Sequence, residues 1–303
     1  MNYIEDVREL VGNTPLLKLN NFKLKENVTV FAKLEQFNPG GSIRDRVGIY
    51  MIREAEKAGI LKKGDTIIEV AFEDTAIGIA FAAINKGYKT IFVAPENFSI
   101  EKQIIIRTLG AKVINTPAEL EIKGALIKAK NLLKTIENSV YLSGFYNPRN
   151  PEVHYNTTAP EIYSSLEGNI DYFIASNESE EIFRGISKYL KERKSSIKSI
   201  IAKPEDGFLS EKEIDIGNTK NINFKGKAVT DERLVDRYIR VKEDEIFNAV
   251  GELAKTEGLL VGTSSGVAMA AALKLAKSIR KGNIVVIFPD GGERYFSKNI
   301  FSF

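Results

Sequence analysis

The sequence predicts an α/β protein with parallel-rich sheets that are covered by helices. Short runs rich in β-branched and aromatic residues alternate with helix-length amphipathic segments along the chain. Several of these runs end at a turn signal, such as Pro-Asp-Gly-Gly at 289–292. The chain has 303 residues, of which 43% are hydrophobic, which is enough for a large core and for two lobes.

The predicted elements alternate in chain order, as parallel sheets with crossover helices require. The strands are Val28–Leu34, Thr66–Val70, Thr90–Ala94, Lys112–Asn115, Tyr172–Ala175, Ser199–Ala202 and Asn283–Phe288. The helices between or after them are Ser99–Leu109, Lys123–Ile136, Ser179–Glu192, Glu243–Glu257 and Ser265–Arg280. The polar stretch Pro204–Val229 lacks periodicity and predicts an irregular excursion. Ligands of such sheets bind at the carboxyl ends of the strands, so we expect the functional residues in strand-to-helix loops.

Composition excludes several classes of function. The net charge is +3, from 43 basic and 40 acidic residues that are well mixed, which argues against a nucleic-acid surface. No apolar run is long enough to span a membrane, and the N-terminus lacks the apolar region of a signal peptide, so we expect a cytoplasmic protein without membrane association. The chain has no cysteine and one histidine, His154, which excludes thiolate chemistry and multi-histidine metal sites.

Two loops have the composition of anion sites. One precedes a helix rich in small residues, and backbone N–H groups and hydroxyls at a helix N-terminus bind phosphate readily. An ordinary helix cap is the alternative interpretation of this loop, which consists of Gly262, Thr263, Ser264, Ser265 and Gly266.

The other loop lies in the segment EQFNPGGSIRDR at 35–46. Gly40 and Gly41 permit backbone geometry that other residues resist, and Ser42 can cap a helix that starts at Ile43. On local grounds, a tight turn followed by a helix cap explains this segment equally well.

Several motifs together resemble one enzyme family. They include VGNTPL at 11–16, KLEQFNPGGS at 33–42, EGLLVG at 257–262 and the pair PD and GERY within 289–295. The chain resembles the cysteine synthase (O-acetylserine sulfhydrylase) and cystathionine β-synthase group of fold type II pyridoxal-phosphate enzymes. The resemblance implies two α/β lobes with a cleft between them, and a homodimer. It places the smaller lobe at about residues 45–148 and the larger lobe at 1–44 and 149–303.

The chain departs from this family at the residue that binds the cofactor. In the family, a lysine directly before Asp-Arg forms a Schiff base with pyridoxal phosphate, and here that position is Arg44. A Schiff base needs a neutral primary amine, and a guanidinium with a pKa near ~13.8 does not supply one. This substitution alone would remove the family's ordinary catalysis.

Three further loops depart from the family. The substrate and cofactor loop Thr-Ser-Gly-Asn-Thr-Gly is replaced by Ala71, Phe72, Glu73, Asp74, Thr75 and Ala76. The phosphate cradle Gly-Thr-Gly-Gly-Thr is replaced by Glu178, Ser179, Glu180, Glu181 and Ile182, whose side chains should obstruct a close backbone approach to phosphate. A later Gly-Ile-Gly-Ala-Gly-type loop is FKGKAV at 224–229, and the hydroxyl residue expected at the cofactor ring nitrogen is Gly291.

From these departures we predict a cysteine synthase-like pseudoenzyme that binds no pyridoxal phosphate covalently and has no catalytic residue. Its role would be regulation or binding through a protein partner or a small molecule. By analogy with the family, the partner would be the C-terminal tail of a serine acetyltransferase or an active paralogue.

Two alternatives remain open. The first is an enzyme with altered chemistry, in which the new acids act as general acids or bases or hold a divalent ion near Arg44. Against it, Arg44 would simply form an ion pair with one or two of these acids. The second is an active pyridoxal-phosphate-dependent cysteine synthase despite the changes.

Overall fold

A computed structural model describes residues 3–144, 147, 149–177, 180–205, 218–219, 222–223, 231–298 and 300–301. The chain divides into two compact units. One comprises Met1–Val11, Ser42–Pro148 and Lys212–Lys227, and the other comprises Gly12–Gly41, Arg149–Glu211 and Ala228–Phe303. Each unit is built on its own sheet.

The unit that contains Ser42–Pro148 has a four-stranded parallel sheet, in the order β5-β4-β3-β6. Its strands are β3 (Thr66–Val70), β4 (Lys89–Pro95), β5 (Lys112–Thr116) and β6 (Ser139–Val140). The inner strand β3 is buried along its whole length, whereas the edge strands β5 and β6 are partly exposed. The helices of this unit are α1 (Arg44–Lys57), α2 (Thr75–Ala83), α3 (Ile100–Thr108) and α4 (Glu121–Thr135).

The other unit has a six-stranded sheet, in the order β1-β2-β12-β7-β8-β11, with only the edge pair β1–β2 antiparallel. Its strands are β1 (Leu16–Leu19), β2 (Val28–Leu34), β7 (Tyr172–Ser176), β8 (Lys198–Pro204), β11 (Arg237–Val241) and β12 (Gly282–Phe288). Its helices are α5 (Asn150–Asn156), α6 (Thr158–Ser165), α7 (Glu180–Arg193), α8 (Glu243–Glu252) and α9 (Thr263–Ser278). A short antiparallel pair, β9 (Asn218–Thr219) and β10 (Ile222–Asn223), belongs to the unit that contains Ser42–Pro148 and lies in the stretch predicted to be irregular, most of which is outside the described residues.

The structure confirms the α/β class, and the predicted strands and helices are present with shifts of one or two residues at their ends. One difference is at α8, which ends at Glu252 and continues as a π-helical turn over Leu253–Glu257. Another is α2, which the sequence pattern did not reveal. All nine residues of α2 are buried, so the helix has no polar face and no 3.6-residue periodicity.

Helices α1 and α2 cross at two glycines. A Cβ atom added to Gly48 would lie 2.1 Å from the carbonyl oxygen of Gly78. A Cβ added to Gly78 would lie 2.2 Å from the carbonyl oxygen of Arg44. The two backbones are therefore in direct contact, and this contact holds the first turn of α1 against α2.

Candidate functional site

The loop between β3 and α2 consists of four of the residues that the family comparison singled out, Ala71 to Asp74, and a fifth, Thr75, is the first residue of α2. Ala71 is fully buried, and its N–H donates to the carbonyl oxygen of Val93 at 2.8 Å, which ties the loop to the neighbouring strand β4. Phe72 and Glu73 are half-buried, whereas Asp74 and Thr75 are buried. The loop lies at the carboxyl end of a parallel strand, where the sequence predicted a functional site.

Arg44 reaches this loop from the start of α1. Its Nη2 donates to Oε2 of Glu73 at 2.8 Å, and its side chain is only 4% exposed while that of Glu73 is 31% exposed. The expectation that Arg44 pairs with one of the new acids is therefore confirmed for Glu73. The pair is a charge-assisted hydrogen bond between a buried guanidinium and a partly exposed carboxylate.

The backbone of Glu73 has a left-handed conformation. Its φ is +45°, a region that costs a residue with a Cβ about 1 kcal/mol or more. The family has glycine at this position of the loop. The loop therefore has a backbone conformation suited to glycine, although a glutamate occupies the position.

A second ion pair flanks the loop. Nζ of Lys102, on α3, lies 3.2 Å from Oδ1 of Asp74, and both side chains are at most 10% exposed. The two acids of the loop, Glu73 and Asp74, are thus matched by Arg44 and Lys102. The charges of these four side chains sum to zero.

Thr75 begins α2 and has a buried hydroxyl. Its Oγ1 has no hydrogen-bond partner among the described residues, although the residue is only 3% exposed. Asp74, which precedes it, gives the helix no side-chain cap. A buried hydroxyl without a partner costs free energy, and at the N-terminus of a helix it lies where a bound carboxylate would satisfy it. The site therefore has the features of an anion-binding helix terminus.

Glu69, the next-to-last residue of β3, forms hydrogen bonds with the segment that packs on Thr75. It accepts hydrogen bonds from the N–H groups of Leu142 at 2.5 Å and Gly144 at 3.1 Å. A Cβ added to Gly144 would lie 2.8 Å from Cγ2 of Thr75, so the methyl group of Thr75 packs against Gly144. Burial raises the pKa of Glu69 to about 8, although the backbone N–H groups oppose this shift.

The stability of the protein should therefore depend on the ionisation of Glu69. The pKa of its carboxyl is about 8 in the folded protein and 4.5 for an ordinary glutamate. Between these two pH values, the folded state therefore keeps a proton that the unfolded state has lost. The free energy of unfolding should fall by up to about 1.4 kcal/mol per pH unit between these two values, and Glu69→Gln should lose this dependence. Urea unfolding across this pH range measures it. The exposed Glu119→Gln is the control and should retain the slope; an equal slope in Glu69→Gln would refute the assignment.

Neither Glu69 nor Lys102 was identified from the sequence. The signal for Glu69 was available, because it is the only charged residue in the otherwise buried run TIIEV at 66–70. Lys102 gave no signal, since it is one of the polar residues on an amphipathic helix and its pairing with Asp74 depends on the packing of α3 against α2.

The loop Gly262–Gly266 lies in the other unit, at the start of α9. Its hydroxyl residues are buried, and Oγ of Ser265 has no hydrogen-bond partner among the described residues. A carboxylate is already close to this loop, because a Cβ added to Gly262 would lie 2.2 Å from Oδ1 of Asp290. That carboxylate also accepts a hydrogen bond from the hydroxyl of Tyr295 at 2.6 Å. Anion binding by this loop stays a prediction.

Gly291 follows Asp290 and forms an isolated β-bridge with Val261. A Cβ added to Gly291 would lie 2.1 Å from Oε2 of Glu293, so the side chain of Glu293 occupies the space where a residue larger than glycine would extend. That contact is with the end of a flexible side chain, which could move.

The turn at 38–41 is closed by a backbone hydrogen bond, and the chain continues through Ser42 into α1. The N–H of Gly41 donates to the carbonyl oxygen of Asn38 at 2.8 Å, and Gly41 has a φ of +82°. Oγ of Ser42 accepts from the N–H of Arg44 at 3.3 Å. The predicted tight turn is present, but the predicted cap by Ser42 is wrong: α1 begins at Arg44, one residue later than predicted, and its N-cap residue is Ile43, which gives no side-chain cap.

Glu180 and Glu181 form the first turn of α7, and both are half-buried. Acidic side chains at this end of a helix are stabilised by its dipole, which gives them a structural role independent of any ligand. Glu178 and Ser179 lie outside the described residues, as does the loop at 224–229. The predicted effect of these residues on phosphate binding stays a prediction.

Comparison with known proteins decides the family. The profile of a family described as "Pyridoxal-phosphate dependent enzyme" matches residues 7–290. The chain belongs to this family. It is 43% identical, over 99% of both chains, to the O-acetylserine dependent cystathionine beta-synthase of Bacillus subtilis. It is 41% identical to a cysteine synthase of Helicobacter pylori, over 99% of this chain and 100% of that one.

Solved structures agree with this family. The crystal structure of the O-acetylserine dependent cystathionine beta-synthase from Helicobacter pylori matches with a TM-score of 0.87 and 40% identity, over 100% of both chains. The fold type II architecture that the sequence resemblance implied is therefore confirmed.

The prediction of a pseudoenzyme without catalytic function is wrong. Full-length relatives at this level of identity are named as cysteine synthases and cystathionine beta-synthases, which points to an enzyme. The error has a physical reason. The prediction took Arg44 and the altered residues of three loops as evidence that the whole site had lost its function, whereas the structure retains a buried hydroxyl, that of Thr75, at the start of α2.

The family depends on pyridoxal phosphate. Residue 44 does not fit covalent attachment of this group, because Arg44 has no primary amine and its guanidinium is buried against Glu73. No step of the reaction can therefore be assigned to a Schiff base at this residue.

The described part of the chain gives no support to the metal-assisted alternative. No group of three or more His, Asp or Glu side chains within it is arranged to hold a metal ion. None of the helices described is both long enough and apolar enough to cross a membrane.

Proposed function

We propose that this protein is an enzyme that acts at the β-carbon of a small amino acid carrying a leaving group, with O-acetyl-L-serine as the representative substrate. The observation that supports this proposal best is the buried hydroxyl of Thr75 at the start of α2, which has no protein partner among the described residues. The names of the relatives supply the substrate class, since two of them are O-acetylserine dependent.

The local charge favours an amino-acid carboxylate at this site. Within each of the pairs Arg44–Glu73 and Lys102–Asp74, the base neutralises the charge of the acid. Neither acid therefore presents an uncompensated negative charge to a ligand. The N-terminus of α2 then contributes a positive potential, and its first-turn N–H groups have no side-chain cap. A carboxylate bound there would accept the hydrogen bond that Thr75 can donate.

Residues around the loop and within it orient this site. Glu69 accepts a hydrogen bond from the N–H of Gly144, and Gly144 packs against the methyl group of Thr75, which fixes the position of that side chain. The N–H of Ala71 fixes the other end of the loop to β4. The protein therefore binds and orients the substrate carboxylate with groups that are held in place before the substrate arrives.

We further propose that the reaction does not begin from a Schiff base between residue 44 and pyridoxal phosphate. Arg44 is the reason, because its guanidinium stays protonated and is hydrogen-bonded to Glu73. Within this proposal Arg44 stabilises the loop that binds substrate.

Acetate release from O-acetyl-L-serine tests the proposed activity. The purified protein should release acetate faster than the protein-free buffer, in parallel reactions with and without added pyridoxal phosphate and with sulfide as the acceptor. The inactivated control is Thr75→Val, which should lower the rate about tenfold or more because a hydrogen bond to a charged group is lost. Release at the protein-free rate under both conditions would refute the proposal.

A further inference from the structure

The pair formed by Arg44 and Glu73 replaces two residues that the family comparison treats separately, a lysine and a glycine. We propose that Arg44 and Glu73 are one coupled unit, in which each substitution requires the other, and that this unit occupies the place of the cofactor-binding amine. The inference deepens the proposed function, because it states how the substrate loop is held without that amine.

The first step of the argument is geometric. Arg44 is the first residue of α1. A Cβ atom added to Gly78 of α2 would lie 2.2 Å from the carbonyl oxygen of Arg44. The crossing of α1 and α2 therefore fixes the distance from residue 44 to the loop that precedes α2. From this fixed position, the side chain of Arg44 reaches Glu73.

The second step concerns the backbone. Glu73 has a φ of +45°, in a region that glycine adopts readily and glutamate does not. This conformation costs a residue with a Cβ about 1 kcal/mol or more, and an interaction of the side chain can offset that cost. The hydrogen bond from Nη2 of Arg44, at 2.8 Å, is such an interaction.

The third step concerns charge. The side chain of Arg44 is 4% exposed, and a charge that is so well buried requires a partner of opposite sign. Glu73 provides that partner. With glycine at position 73 the guanidinium would lose this carboxylate, and with lysine at position 44 the carboxylate would hold the amine in its protonated form, which cannot form a Schiff base.

The coupling can be measured by restoring an amine at position 44. We compare Arg44→Lys with two double variants, Arg44→Lys/Glu73→Gln and Arg44→Lys/Glu73→Gly. The probe is formaldehyde with a borohydride reductant, which methylates neutral amines and is small enough not to require a cofactor pocket. Peptide mass mapping gives the rate at position 44, and Lys57 on the same helix, which is 62% exposed, serves as the internal standard.

Methylation at position 44 should be about tenfold faster in both double variants than in Arg44→Lys. Loss of the carboxylate lowers the pKa of the new amine by about one unit, and one unit is a tenfold change in the neutral fraction. The glutamine variant keeps the size of the side chain, so it separates charge from access. Rates within twofold of one another in all three proteins, relative to Lys57, would overturn the proposal.

A second measurement uses the natural protein. Incubation with a substoichiometric amount of pyridoxal phosphate, followed by borohydride reduction, should give no preferential labelling of Lys102 over Lys57. Preferential labelling of Lys102 would overturn the proposal, because a different amine next to the same loop would then take the cofactor. Neither measurement requires turnover. A negative result for the coupling of Arg44 and Glu73 can therefore be distinguished from a negative result in the acetate assay.

Discussion

Gly78→Ala should lower the free energy of unfolding by about 2 to 3 kcal/mol. The added methyl group would lie 2.2 Å from the carbonyl oxygen of Arg44 and 2.7 Å from its carbonyl carbon, and neither backbone atom can rotate away. Helices α1 and α2 would have to separate, which gives up packing along their whole contact. Urea unfolding at a single pH measures the effect.

The control for this substitution is Gly59→Ala. Gly59 has open space around the position of an added Cβ, and its φ of +68° makes the cost there one of backbone conformation alone, about 1 to 2 kcal/mol. Circular dichroism should show that both variants fold. A loss below about 1 kcal/mol in Gly78→Ala would mean that the two helices are not in backbone contact in solution.

Thr75→Val should raise the KM for O-acetyl-L-serine about tenfold or more. Valine keeps the shape of the side chain and its contact with Gly144 but cannot donate a hydrogen bond, so the change removes about 1.5 to 3 kcal/mol from carboxylate binding. The variant should also be at least as stable as the natural protein without substrate, because the replaced hydroxyl is buried without a partner among the described residues.

The contrasting variant is Thr75→Ser, which retains the hydroxyl and loses the methyl group. It should keep a KM within about threefold of the natural value and lose stability instead, because a buried methyl group is removed. Thermal unfolding with and without substrate separates the two effects. An unchanged KM in Thr75→Val would show that the substrate carboxylate binds elsewhere.

The α/β class could be predicted from the sequence because its strands and most helices have clear boundaries. Strands such as Val28–Leu34 and Thr66–Val70 coincide with the predicted ranges. Helix α2 could not be recognised, because a helix buried on all sides has no amphipathic pattern. Helices α1 and α2 cross at two glycines that are distant in sequence, so no local pattern in the sequence predicts this contact.

The sequence predicted where the candidate site lies, but not which of its side chains contact one another. The family comparison identified Arg44 and the loop that follows β3, and the structure brings Arg44 and Glu73 together. The pairing of Asp74 with Lys102 and the support of Thr75 by Glu69 depend on packing between elements that are distant in sequence. Residue types at single positions could not show whether the altered loop still binds an amino acid, and this is why the sequence alone led to a pseudoenzyme.

The backbone contact between α1 and α2 also limits how the substrate loop can move. Sliding or rolling of one helix over the other would bring carbonyl groups into overlap at Gly48 and Gly78, where there are no side chains to adjust. The start of α1, the loop at 71–74 and α2 should therefore behave as a single rigid block on fast timescales. Amide exchange that probes the opening of this block should occur in one cooperative step, with α1 and α2 becoming accessible together.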